Sequence, residues 1–413
     1  MVSPLDVAAC RACFPALERL QAGRPVVYAD GPAGSQVPVS VAEAVTGYLL
    51  RHNANHDGMF ATSRESDALI AAAHRASAEL LGATDPDEVV FGANMTTLCL
   101  ALSRALARTW NRGDEVVVTR IDHDANVTPW VRAAEDAGAV VRFVDIHPGD
   151  CTLNLDDLKR KLGPRTQLVA VACASNAVGT LNPLPEIVAA AHGVGALVCL
   201  DAVHFAPHAL MDVADWDADF VLCSAYKFFG PHVGLLWGRR TLLEDLKPYK
   251  VRPASNDLPG RWMTGTQNHE GLAGLLAAID YLASLSGADS AQPRRERLAA
   301  SFAAIVEHER QLATRFLEGV APLAQWKVWG ITDKPRRAER VPTFALTHEH
   351  LRPRDAAAQL ADQGIFTWHG NFYAIELTET LGLEPHGLLR IGFLHYNTLA
   401  EVDRVVAALA ELR

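Results

Sequence analysis

The sequence has 413 residues, 49% apolar and 21% charged, with a net charge of −10 at pH 7. A chain of this length and composition buries a sizeable core, which excludes disorder, a collagen-like repeat and a small disulfide scaffold. The basic excess of a nucleic-acid binder is missing, and no run of about 18 apolar residues is present to span a membrane. Residues 1–20 carry Asp6, Arg11 and Glu18 where a secretory leader has an unbroken apolar stretch, so no leader is expected. Seven cysteines, an odd number, are expected to be reduced thiols of a cytoplasmic protein. Cys10 and Cys13 form a C-x-x-C, but no second such pair completes a zinc site and no βαβ pattern surrounds it.

Taken in chain order, apolar runs alternate with amphipathic stretches. Glu115–Thr119 (EVVVT) predicts a strand opened by the turn residues Arg112, Gly113 and Asp114, and residues 129–137 predict a helix. Val140–Val144 (VVRFV) is a second strand, and 168–172 (LVAVA) a third that ends at Ser175 and Asn176. After a helix at 185–192 come 196–200 (ALVCL), which ends at Asp201, and 220–223 (FVLC), which ends at Ser224. Near-continuous apolar strands alternating with helices predict an α/β fold with a mostly parallel sheet covered on both faces. Ligands of such sheets bind beyond the carboxyl ends of the strands.

The texture changes near residue 285. A linker-like stretch at 284–293 leads to a long helix at 294–318, short strands at 343–347 and 389–393, and a closing helix at 399–412. In that helix Leu399, Val402, Val405, Val406 and Leu409 form one apolar face, and a smaller α+β domain is expected.

Two strand ends bring chemistry: Asp201 in LDAVH (200–204) and Lys227 in CSAYKFFGP (223–231). A lysine amine and an acid at the mouths of consecutive strands suit pyridoxal phosphate (PLP), whose aldehyde takes the amine and whose pyridine nitrogen takes the acid. Spacing alone leaves this open, since a lone Asp at a strand end commonly caps and a lone Lys is commonly solvated.

Further segments extend the pattern: VYADGPAG (27–34), FGANMTT (91–97), IDHDAN (121–126), SNAVG (175–179), GTQN (265–268) and LRIGFLHYNT (389–398). In this order they resemble the class V aminotransferase superfamily of fold-type I PLP enzymes, in its cysteine desulfurase-like branch. The resemblance implies a large PLP-binding domain over 26–285, a small domain from 1–25 and 286–413, and a homodimer. It implies that Lys227 is the Schiff-base lysine and proton carrier, Asp201 the partner of the pyridine nitrogen, and His123 the ring stacked on the cofactor. Asn176 and His204 fall beside the phenolic oxygen, with His204 standing where cysteine desulfurases commonly have Gln. Met95, Thr96 and Thr97 open a helix suited to phosphate, with Ser224 as a further donor and Thr266 reaching in from the partner subunit. Arg390 corresponds to the substrate-carboxylate arginine. Asn371 and, more weakly, His56 border the substrate. No metal is expected: His52 and His56, and His348 and His350, lack a metal-binding motif.

The sequence departs from the branch in FTWHGNFY (366–373). Asn371 falls at or beside the loop cysteine that carries persulfide in cysteine desulfurases, and no cysteine follows Cys223. Tyr226 also replaces the His that commonly precedes the lysine. The expected reaction is therefore C–S cleavage at the β-carbon of cysteine or a derivative, without the persulfide route. A class V aminotransferase, a racemase or epimerase, and a PLP-binding scaffold without turnover are the alternatives. Ser224-x-x-Lys227 matches S-x-x-K of penicillin-recognising enzymes, but neither S-D-N nor K-T-G occurs. Gly193 and Gly195 precede their strand, which disfavours a dinucleotide site.

Overall fold

The computed structural model describes residues 4–412. Its central sheet has seven strands: β1 Val89–Gly92, β2 Glu115–Thr119, β3 Val140–Val144, β4 Thr166–Ala172, β5 Leu197–Asp201, β6 Phe220–Ser224 and β7 Gly234–Gly238, in the order β1-β7-β6-β5-β4-β2-β3. All pairings from β6 through β5, β4 and β2 to β3 are parallel, whereas β7 runs antiparallel to both β6 and β1. The runs are continuous because both faces are covered. Val117 and Val169 enter one core, and their neighbours Val116, Val118, Leu168 and Ala170 enter the other. The first core lies under helices α2 Ala61–Leu81, α5 Leu184–His192 and α6 His269–Ser284, with α1 Val39–Arg51 packed on α6. The second lies under α3 Met95–Ala107 and α4 Thr128–Ala137. The long predicted helix is α7 Arg294–Val320, and the closing one is α8 Leu399–Glu411.

The sequence reading lacked β1 and β7. Glycine at the start of β7 has a structural reason: a Cβ on Gly234 would lie 2.3 Å from the Asn94 carbonyl carbon. That close approach sets the start of α3 against the sheet edge where the parallel strands end.

A second, four-stranded antiparallel sheet follows, built from β8 Trp326–Trp329, β9 Thr343–His348, β10 Trp368–Gly370 and β11 Leu388–Gly392, in the order β8-β9-β11-β10. Its core joins Phe344, Leu346, Leu389 and Ile391 to Leu312 and Phe316 of α7 and Val402, Val405 and Leu409 of α8. Val27–Tyr28 pairs with Ile365–Phe366, and Val27 and Ala29 pack into this second core. Among the described residues no helix is long and apolar enough to cross a membrane. The cysteines are unpaired, and burial pushes the Cys10 thiol up to about 12.

Candidate active site

The carboxyl ends of β2, β4, β5 and β6 open onto one cavity of about 600 Å³. Met95, Thr96, Thr97, His123, Asn176, Asp201, His204, Ser224 and Lys227 all line it. Lys227 closes a short 3-10 turn, Ala225–Lys227, directly after β6. Its Nζ donates to Pro32 O and, at 3.0 Å, to Ala33 O. Burial, helped by the Arg390 charge, lowers its pKa to about 7, and Asp201 and Asp30 oppose that shift. Asp201 accepts from Val203 N at 2.8 Å through Oδ1. Burial raises its carboxyl to about 6 against the pull of Val203 N and Lys227.

His123 is fixed by its neighbours. The buried Asp122 carboxylate takes the Thr119 hydroxyl and, at 2.7 Å, Asn126 Nδ2, which anchors the turn. His123 Nδ1 accepts from Ala125 N at 3.0 Å, and burial followed by the Lys227 and Arg390 charges lowers its pKa to about 4. The imidazole is therefore neutral near pH 7. At the start of α3, Asn94 Oδ1 accepts from Thr97 N at 2.9 Å, and Ser224 Oγ accepts from Met95 N at 2.9 Å. Two N–H groups expected to be free are thus already paired. What remains for an anion is Thr96 N–H with the Thr96 and Ser224 hydroxyls.

A second cavity of about 380 Å³ adjoins the first, sharing His123, Asn176, Tyr226 and Lys227 and adding Arg390, Asn371 and the aromatic side chains of 368–373. Arg390 is buried on β11, where it donates to Asn176 O at 2.9 Å; burial lowers its pKa to about 9. Asn176 Nδ2 donates to Phe372 O at 2.9 Å, and its Oδ1 is buried without a partner. His204 Nε2 lies 3.0 Å from Thr343 Oγ1, so its polar contact reaches the second sheet. Two expected residues lie elsewhere. Thr266 is exposed on a cleft of about 460 Å³ that shares only Thr97 with the Lys227 cavity. His56 pairs with Asp57 at 2.7 Å in a separate cavity of about 690 Å³.

Comparison with known proteins agrees with this geometry. The class V aminotransferase family matches residues 27–405. The chain belongs to the class V aminotransferase family. It is 31% identical to a probable cysteine desulfurase of Vibrio cholerae over 420 residues, covering 98% of each chain. It is 32% identical to an aminotransferase-like protein of Gibberella zeae over 421 residues, again covering 98% of each. In structure it is similar to the cysteine desulfurase of Thermococcus onnurineus, with a TM-score of 0.88, 26% identity and coverage of 100% of this chain and 99% of the other. The protein is a PLP-dependent enzyme of cysteine desulfurase-like fold.

The geometry adds residues that the sequence reading did not place in the site of this class V enzyme. Asp30 is half-buried near Arg390 and Lys227; desolvation raises it to about 6, and its buried Oδ1 has no partner. An acid inside the apolar run VYAD was the available signal. Tyr226, noted only as a departure, has its ring 4.8 Å from Lys227 Nζ and stacks on His232 at 5.1 Å. Trp368 comes from the short strand β10, and Phe372 and Tyr373 from the turn that follows it, a segment whose sequence has no period to place these rings. That segment is tied down: Asn371 Nδ2 donates to Glu384 Oε1 at 3.0 Å and Asp124 N to Tyr373 O at 2.7 Å.

Proposed function

We propose that the protein uses PLP to cleave the C–S bond at the β-carbon of cysteine or a cysteine derivative, by elimination. One juxtaposition carries the reading: the Lys227 amine sits between Asp201 and Arg390, and no cysteine lines either cavity. A persulfide route needs a thiolate at the substrate sulfur. Elimination needs none, because the sulfur leaves with its own bonding pair.

The donor set fits PLP. The cavity offers an amine of near-neutral basicity, a buried carboxyl, and a hydroxyl-lined helix N-terminus. When bound, PLP supplies an electron sink for charge developing at the substrate Cα. Lys227 holds the aldehyde and, once displaced by the substrate amine, its Nζ takes the Cα proton. A pKa near 7 keeps a working fraction of that amine neutral. Asp201 holds the proton of the pyridine nitrogen, and the neutral His123 offers its flat face to the ring. Thr96 and Ser224 hold the phosphate with the start of α3, and Met95 and Thr97 shape its seat. Asn176 and His204 border the phenolic oxygen. Arg390 takes the substrate carboxylate, with Asn371 at the rim. Proton loss at Cα expels the thiolate from Cβ; it leaves protonated, and with water the remainder becomes pyruvate and ammonium.

The reading includes a homodimer in which Thr266 serves the partner's site, supported by the exposed cleft that carries Thr266 beside Thr97. Unpaired thiols throughout the chain support a cytoplasmic setting. Two sheets with separate cores support the two-domain division at 26–285, although the pairing of Val27–Tyr28 with Ile365–Phe366 favours a crossover beyond residue 30.

The test is product analysis of the PLP-loaded protein with L-cysteine and S-methyl-L-cysteine. Thiol or sulfide with pyruvate in equal amounts is expected. Sulfide with alanine would restore the desulfurase route, and keto acid without thiol would make the enzyme an aminotransferase.

A further inference from the structure

The wall facing Lys227 is aromatic, and it is held in place at a cost. Trp368 lies directly opposite Arg390 across β10 and β11, so the two side chains share one face of the sheet. The chain then turns through Phe372 and Tyr373, which are not glycines yet have φ of 57° and 59°. Residues hold that region only where their surroundings over-determine it. Here the surroundings are identifiable: Asn176 Nδ2 grips Phe372 O, Asp124 N grips Tyr373 O, and Asn371 Oδ1 accepts from Tyr373 N at 3.1 Å. The strained turn sets the Phe372 ring 4.2 Å from the Arg390 guanidinium and stacks Tyr373 on His123 at 5.3 Å and 22°. Trp368 nevertheless remains 50% exposed and Tyr373 70% exposed. Large aromatic side chains left open beside a cavity mark a surface for an apolar ligand. The cavity they line, about 380 Å³, falls among those that bury drug-sized ligands and is larger than cysteine alone needs.

We propose that Trp368, Phe372 and Tyr373 are specificity-determining residues that select a cysteine bearing a bulky aromatic or apolar group on sulfur. The substrate carboxylate lies at the edge of Arg390, the Cα at Lys227, and the sulfur substituent between Trp368 and Tyr373. The inference rests on the C–S cleavage reading. The Cβ–S bond breaks, sulfur departs with the pair and gains a proton, and nothing is oxidised or reduced. The bulky thiol leaves through the wide, exposed side of the wall.

The experiment compares kcat/KM for S-benzyl-L-cysteine and S-methyl-L-cysteine in the PLP-loaded protein and in Trp368→Ala and Tyr373→Ala. Any difference in the basicity of the two leaving thiolates persists in the variants, so the fall of the ratio on substitution reports the wall and not the chemistry. A preference for the benzyl substrate of at least about tenfold is expected, falling to within about threefold in each variant. Equal values in the unmodified protein, or a ratio that survives both substitutions, would overturn the proposal. If neither substrate releases thiol, the cleavage reading fails, and the wall is tested alone by titrating the cofactor absorbance with L-homophenylalanine and L-alanine. Tighter binding of the aromatic amino acid, by about tenfold and lost in Tyr373→Ala, upholds the wall; equal binding removes it.

Discussion

The floor and the wall of the site enclose one space but are made differently. Lys227, Asp201 and His123 form the floor, each placed within a few residues of a parallel strand end and held by backbone partners. The wall is Arg390 with β10 and the turn after it, 368–373, from a different sheet, held by contacts to Asn176 and Asp124 from across the cavity and by a left-handed turn. The floor's geometry follows from strand register, which a single side chain does not change. The wall's geometry depends on each contact. The floor is therefore the place for chemistry shared across a family, and the wall the place where reaction and substrate diverge.

The largest expected effect breaks the floor. Lys227→Ala should lose at least about 10²–10⁴-fold in turnover, because both the cofactor's anchor and the proton carrier go. The cofactor's visible absorption should go with it. Colour and turnover that persist would move the anchor elsewhere. In the unaltered apoprotein the sign of the pKa shift gives a sharper test. Burial and the Arg390 charge lower the amine to about 7, and only the neutral amine attacks an aldehyde. The rate of PLP uptake should rise with pH through about 7 and level off roughly one unit above it. A rate still climbing near pH 10 would mean that Lys227 is an ordinary solvated lysine.

A smaller effect is expected from breaking the wall. Arg390→Ala removes one charge-assisted carboxylate contact, about 1.5–3 kcal/mol, which should appear as a raised KM for amino acids and not for the matching amines. Equal losses for both would move the carboxylate site away from β11.

This contrast also explains what the sequence could tell. Buried parallel strands announce themselves as continuous apolar runs, so β2 was legible to the residue and β5 and β6 to within one, and with β5 and β6 the positions of Asp201 and Lys227; β3 was legible too, although it is the edge strand and buries only Val144. β1 and β7 were not. Each begins or ends on glycine, and β7 is bounded by Gly234 and Gly238, which serve close packing and not a hydrophobic period. Arg390 was placed by resemblance, since nothing in LLRIG separates a ligand from a surface ion pair. The phosphate seat was only half legible: a helix start at Met95 was visible, but not that Asn94 and Ser224 already occupy two of its N–H groups. The aromatic wall was legible only as a segment, 368–373, that borders the pocket; where its rings point was not, because their place is set by a turn whose φ values no composition rule gives.

The smallest expected effect concerns the residue that joins floor to wall. His204 lines the Lys227 cavity and, through Nε2, meets Thr343 Oγ1 on β9 at 3.0 Å. Burial, with the fields of His208, Lys227 and Arg390, holds its pKa well below the ordinary value, so the imidazole is neutral and acts as a hydrogen-bonding spacer. Glutamine has a donor and an acceptor at similar reach, so His204→Gln should change kcat/KM by less than about threefold and leave stability nearly unchanged. His204→Ala differs in kind. It strands the buried Thr343 hydroxyl and uncovers the edge of His208, whose ring packs at 5.1 Å, so a stability loss of about 1–3 kcal/mol is expected in denaturant titration. A sharp fall in kcat for His204→Gln, with stability and KM intact, would show that the imidazole itself carries a proton. The floor would then include a fourth acid–base group, and the boundary drawn between the two regions would have to pass on the far side of His204.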